Sequence, residues 1–275
     1  GRNVTTGINN TIVGGLAGDA ITTGSQNVAL GYNSLGSDTI GNSNVAIGHL
    51  ALTTNVAADR NVAIGVQALY TMTAASTADT YNTAVGFNAG LAVTDGTDNT
   101  LIGGLAGASL TTGNQNIALG RSALSAGIGA GDNVAIGYAA MSANTTGNAN
   151  VAIGTQALNG ANNSGTSTYN IGIGFKAGLV TSTGTKNILI GGFAGDAITT
   201  ANYNIAIGHN ALSTEDTGSR NVAVGFEALR DLNFDGNGYN TAMGFQAGAA
   251  MTTGVQNTLI GGLAGDDLQT GDNNV

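Results

Sequence analysis

Sixteen carboxylates, seven cationic side chains and two histidines carry nearly all the reactive chemistry this chain could perform, and their spacing limits it. Glycoside cleavage needs two carboxyl groups flanking one scissile bond. Glu215 and Glu227 are the only glutamates, while Asp266 and Asp267 adjoin at a Gly-rich corner, where Asp commonly forms turns. His49 and His209 lie far apart in the chain, and with no cysteine there is neither a thiolate metal site nor a disulfide framework. Asp19, Asp196 and Asp266 recur after similar Gly-rich segments, a turn preference more than an ion site. Val13-Gly14-Gly15 resembles part of a phosphate loop, but no GxxxxGK[ST] follows. The expectation is a chain with no enzymatic activity, no cofactor and no metal.

Composition narrows the partners. A formal charge of −9 and the absence of any basic cluster argue against nucleic acid and anionic membrane surfaces. No run of 18 apolar residues exists to insert in a membrane as a helix. Apolar residues at 42% argue against disorder, and 46 glycines without proline or a triplet period exclude collagen.

What must position any functional residue is a repeat. A nine-residue core, read best in NVAIGHLAL (44–52) and NVAIGVQAL (61–69), occurs fifteen times from Asn10 to Asn257, mostly 17 residues apart, with Asn274 opening another. Numbering this core 1 to 9, position 1 is always Asn and position 5 always Gly. Position 2 is always Val, Ile or Thr, and position 4 is Ile, Val, Leu or Met. β-branched residues two apart on one face read as strand, and a glycine every turn or two argues against helix. Gly recurs at position 15, often as TTG, and marks a corner. Each unit therefore reads as two short strands and two corners, one rung of a parallel β-solenoid, with residues 1–275 forming a single continuous domain.

Stacked rungs place each residue over its counterpart about 4.8 Å away. Side-chain amides then bond along the axis, as in stacked Asn ladders. The expected structural ladder includes Asn44, Gly48, Asn61, Gly65, Asn133, Gly137, Asn150 and Gly154, beside core columns of Val over Val and Ile over Ile. Fifteen rungs would extend roughly 70 Å.

A longer period modulates the short one. GGLAG or GGFAG closes the cores at Asn10, Asn99, Asn187 and Asn257. There position 3 enlarges to Ile12, Leu101, Leu189 or Leu259, while position 6, elsewhere often Tyr, Phe or His, becomes Gly. The exchange suggests that positions 3 and 6 share a packed space and that both strand faces are covered, either within one wide coil or by self-association, most simply as a trimer. Longer connections at 70–81, 159–169 and 230–239 end in Tyr81, Tyr169 and Tyr239, candidates for receptor contact because loops on a rigid scaffold carry recognition.

The unit Asn-[Val/Thr/Ile]-Ala-Ile-Gly-x-x-Ala-Leu resembles the head repeats of trimeric autotransporter adhesins and related repeats of bacteriophage tail fibres. The resemblance spans essentially the whole chain, although the rungs here are longer than those of adhesin heads. It implies a left-handed parallel β-roll packed as a homotrimer, on the cell surface or virion. The sequence thus reads as a fragment of a longer extracellular fibre, cut at both ends, that is structural or adhesive. Its expected partners are other copies of itself and a cell-surface glycan or protein receptor. Two alternatives stay open: an ice-binding solenoid using Thr arrays, and a glycan-processing trimeric spike.

Overall fold

The computed structural model describes residues 2–73, 79–161 and 167–275. It is an all-β parallel solenoid, with no helix among the described residues. Among the described residues, fifteen strands of three residues each begin one residue after a repeat Asn, from β1 (Thr11–Val13) to β15 (Thr258–Ile260). The chain divides into two compact units, Gly1–Ala135 and Ile136–Val275. In the first, β1 through β7 (Ile117–Leu119) pair successively in parallel, as in Thr11↔Val28, Ile12↔Ala29 and Val13↔Leu30. In the second, β9 (Val151–Ile153) through β15 do the same, as in Ile205↔Val222, Ala206↔Ala223 and Ile207↔Val224. Between these runs, β8 spans Val134–Ile136.

Only one stretch per turn is a strand. The expected second strand is replaced by bends whose backbone still bonds to the next turn, such as Thr22 N–H to Thr39 O at 2.9 Å and Ser182 N–H to Thr199 O at 2.9 Å. Position-15 glycines do not supply positive φ either. Gly24 is tight because a Cβ there would stand 2.5 Å from the Gly41 carbonyl oxygen. The left-handed residue is instead position 17, just before each Asn, where Gln26 (φ 63°) and Arg60 (φ 61°) sit without being glycine.

The ladder Asn closes each turn and joins it to the next. Asn99 uses its whole amide: Nδ2 donates to Asn82 Oδ1 (3.0 Å) and to Gly113 O (2.8 Å), while Oδ1 accepts from the N–H (3.1 Å) and Nδ2 (3.0 Å) of Asn116. In the first unit the same ladder includes Asn44, whose Oδ1 accepts Asn61 N–H at 2.9 Å, and Asn133, bonded to Asn116; in the second it includes Asn150, whose Oδ1 accepts Asn170 N–H at 3.0 Å. All these asparagines are fully buried.

Because position 1 points inward, strand alternation sends position 3 inward and positions 2 and 4 outward. Ala29, Ala63, Leu101, Ala206 and Leu189 at position 3 are fully buried, whereas Leu30, Ile153 and Met243 at position 4 are 45%, 37% and 43% exposed. The expected Val and Ile core columns are therefore outward columns. Ala at positions 3 and 8 and a larger residue at position 9 fill the narrow interior instead.

The partner of an enlarged position 3 is position 9, not position 6. A Cβ on Gly107 would lie 2.8 Å from Leu101 Cδ2, and one on Gly195 would lie 2.7 Å from Leu189 Cδ2. At Gly15, in position 6, a Cβ would meet only the exposed Tyr32 ring, at 3.5 Å. Units such as 82–90, with Ala84 and Gly90, are small at both interior positions. A Cβ on Gly90 would meet Leu69 below and Leu101 above, each at 2.9 Å. These units are transitions between Leu at position 9 and Leu at position 3.

Leu101→Ala should lower stability by about 2–4 kcal/mol, and Leu101→Ala/Gly107→Leu should recover most of that loss. Denaturant midpoints of the two single variants and the double variant read the coupling; additive effects would refute the shared interior site. Position 5 is more constrained. Gly137 has φ 129° and a Cβ there would stand 2.6 Å from the Gly154 carbonyl oxygen. Gly137→Ala should cost about 2 kcal/mol or more, against a change within about 0.5 kcal/mol for Gly15→Ala on the surface, both measured by thermal unfolding.

Candidate interaction surface

Tyr81, Tyr169 and Tyr239 share one structural role. Each is the position-17 residue before a ladder Asn, with φ of 48°, 52° and 50°, and each is about half exposed. The inward turn of the following Asn leaves the tyrosine ring outside. The longer connections re-enter register at these residues. In the turns that carry them the ladder amide turns back on its own strand entry: Asn61 Nδ2 donates to Asp59 O, and Asn150 Nδ2 to Asn148 O. Thr80 and Thr168 hydroxyls then donate to Asn61 Oδ1 and Asn150 Oδ1. Isolated bridges Asp59↔Asp79, Asn148↔Ser167 and Ser219↔Asn237 mark the same re-entries. Residues 74–78 and 162–166 of the connections lie outside the described residues.

In the first unit Tyr81 belongs to a closed set. Arg60 pairs with Asp79 and lies 5.7 Å from the Tyr81 ring centroid, while Tyr81 Oη donates to Asp79 Oδ2 at 3.1 Å. In the second unit position 17 reads Tyr169, Lys186, Tyr203, Arg220, Tyr239 in five successive turns. Lys186 Nζ sits 4.9 Å from the Tyr203 ring and donates to its hydroxyl at 3.1 Å. Arg220 lies between the rings of Tyr203 (5.3 Å) and Tyr239 (5.8 Å). The lysine's bond and charge pull the Tyr203 phenol below its ordinary range. Sequence reasoning missed Tyr203, Lys186 and Arg220 because it looked for loops; reading the residue before every Asn would have found them.

A second exposed column follows the strands. Rings of Phe175, Phe193, His209, Phe226 and Phe245 succeed one another with centroids 5.2 to 5.9 Å apart, and Tyr32 stacks on His49 at 5.6 Å. Both histidines thus fill aromatic stacks on the outer surface. With the outward Val and Ile of positions 2 and 4, these rings make the strand face apolar on its solvent side.

The carboxylates do not converge. Glu215 is buried, its Oε1 accepting Gly218 N–H at 2.6 Å, whereas Glu227 faces out and is held by Arg230 and Gln246 at 2.8 and 2.9 Å. No group of three His, Cys, Asp or Glu side chains among the described residues could hold a metal, and those residues enclose no cavity. Threonine hydroxyls at position 13 are committed to the next turn, as in Thr22 to Thr39 O and Thr111 to Ile128 O.

Two acids occupy the interior column at position 12, where Ile21, Leu110 and Leu232 stand in other turns. Asp38 accepts bonds from Gly41 N–H (2.7 Å) and Asn55 Nδ2 (2.7 Å), yet burial pushes its carboxyl up to about 7. Burial also raises Glu215.

Compared with family models, with curated proteins and with solved structures, the chain matches none.

An acid whose folded pKa is raised binds its proton more tightly in the fold, so its stabilising share is complete below about pH 4 and is lost as pH rises toward about 7. The melting temperature should therefore lose this contribution between about pH 4 and pH 7, and Asp38→Leu should flatten that fall. An equal fall in wild type and variant would show that Asp38 is not its source.

Proposed function

We propose that this chain is a structural and adhesive segment of a long extracellular or virion fibre, without catalysis, whose left-handed coils pack as a homotrimer. The observation that carries this reading is the outward strand face. In turn after turn position 4 places Ile, Val, Leu or Met outside the coil, position 2 adds Val, Ile or Thr, and position 6 adds aromatic rings: Phe87, Phe226 and Phe245 are 56%, 42% and 54% exposed. Exposed apolar surface of this continuity is characteristic of interaction sites. Copies of the same chain would cover it by matching like column to like column, and the likeness to adhesin heads supplies the number three. The interior, by contrast, is complete without a partner.

Other features agree with a load-bearing segment. Turns are joined along the axis by backbone bonds, Asn amides and Thr hydroxyls. Those same hydroxyl bonds weaken the ice-binding alternative, and the separation of Glu215 from Glu227 weakens the glycan-cleaving one.

Light scattering coupled to gel filtration should give three times the 26.9 kDa chain mass. Ile207→Lys/Val224→Lys, two outward changes that leave the interior untouched, should give a single-chain mass with an unaltered circular dichroism spectrum. A wild-type monomer would sink the trimer and reopen the alternatives.

A further inference from the structure

The cations of the second unit are used unequally. Arg230 is bound by Glu227 and Asp231, and in the first unit Arg60 is bound by Asp79. Lys186 and Arg220 have no carboxylate partner among the described residues, in a chain where acids outnumber bases sixteen to seven. Their contacts are tyrosine rings, tyrosine hydroxyls and Asn237 Oδ1. Both stand on backbone fixed to the preceding turn, Lys186 N–H to Thr168 O at 2.7 Å and Arg220 N–H to Asn202 O at 3.0 Å. The backbone beneath the stripe is thus fixed before any ligand arrives, which reduces the ordering cost of binding.

We propose that the stripe Tyr169–Lys186–Tyr203–Arg220–Tyr239 binds a linear polysaccharide carrying a carboxylate on alternate sugars. This deepens the adhesive reading above and rests on it. With no cavity to enclose a small molecule, the ligand lies along the surface as an extended polymer. Lys186 and Arg220 stand two turns apart, about 10 Å along the stack, close to one disaccharide of an extended chain. The carboxylates of an extended peptide on one side recur about every 7 Å instead. Nucleic acid fits poorly, because base stacking needs open ring faces and Lys186 and Arg220 already cover the faces of Tyr203. Exposed ring edges, hydroxyls and cations remain, and these suit sugar hydroxyls and carboxylates.

The test uses the full chain with hyaluronan oligosaccharides, which carry a carboxylate on every second sugar, titrated by calorimetry beside neutral dextran, polyglutamate and polyphosphate. Wild type should bind hyaluronan and ignore dextran. Lys186→Gln/Arg220→Gln should weaken binding about tenfold or more, and Tyr203→Ala should weaken it too; Ala149 already occupies the same left-handed position (φ 59°) in another turn. Arg2→Gln/Arg121→Gln, which removes the same charge elsewhere, should change nothing. Absent binding by folded wild type, an equal loss in the charge-matched control, or equally tight polyglutamate or polyphosphate would overturn the proposal. Light scattering on the same samples separates the two readings. A trimer that ignores hyaluronan removes the ligand and leaves the fibre, while a monomer that binds it does the reverse.

Discussion

The solenoid depends on one buried amide per turn. Asn99 spends both donors and both acceptor sites on the turn before, the turn after and the far corner of its own turn. An aliphatic residue there would leave the Asn116 N–H and the Gly113 carbonyl without partners, at about 1–3 kcal/mol for each buried group. Aspartate could accept but not donate. Glutamine has the same groups on a stem one carbon longer, too long for a site with no slack. The requirement recurs because each Asn is both the floor of one turn and the ceiling of another.

That amide also decides which side of the strand is inside. With position 1 turned in, position 3 follows it and positions 2 and 4 cannot. The space between positions 3 and 9 is then narrow enough to take at most one large side chain per turn, from position 3 or from position 9, beside the separate interior residue at position 12. Leu158 illustrates the limit: its Cγ would lie 2.6 Å from a Cβ on Gly172, position 3 of the next turn. Glycine there is a packing requirement, since Gly172 has no left-handed φ. Left-handed backbone is instead spent on non-glycine residues at positions 7, 9 and 17, where Leu69 has φ 48° and Gln67 φ 56°. Such residues cost roughly 1–2 kcal/mol each, and bonds to neighbouring turns, such as Leu69 N–H to Ala89 O at 3.0 Å, offset that cost.

Repetition made the solenoid, the Asn ladder and the phase of every strand legible from the sequence. The inside and outside of the strand were not. β-branched residues at positions 2 and 4 suit a buried column and a half-covered outer face equally well, and only the amide at position 1 distinguishes them. The exchange of Ile12 and Leu101 for Ala was visible, but its partner was misread because Gly15 and Gly104 change in the same units as Gly18 and Gly107. One swap is interior packing; the other interrupts a surface aromatic column. Tyr81, Tyr169 and Tyr239 were found through the loops that precede them, although their exposure comes from the backbone at position 17, which Tyr203 shares without a loop.

This separation of roles explains how a monotonous sequence can still carry a specific surface. Positions 1, 3, 5, 8 and 9 are confined by the turn above and below, so variation there must be matched within one or two turns. Position 17 is held only by its backbone. Its φ near 60° accepts Gln, Ser, Arg, Tyr, Asp, Lys or Ala alike, from Gln26 to Ala149. A side chain placed there stands over its counterpart one turn away, so any pattern written at this position becomes a line of groups at strand spacing. Alternating Tyr with Lys or Arg over five turns draws a line of rings and cations that nothing in the interior requires. Gln115 and Asp132 hold the same repeat position with the same backbone in the first unit, so the stripe reflects its side chains and not the fold beneath them.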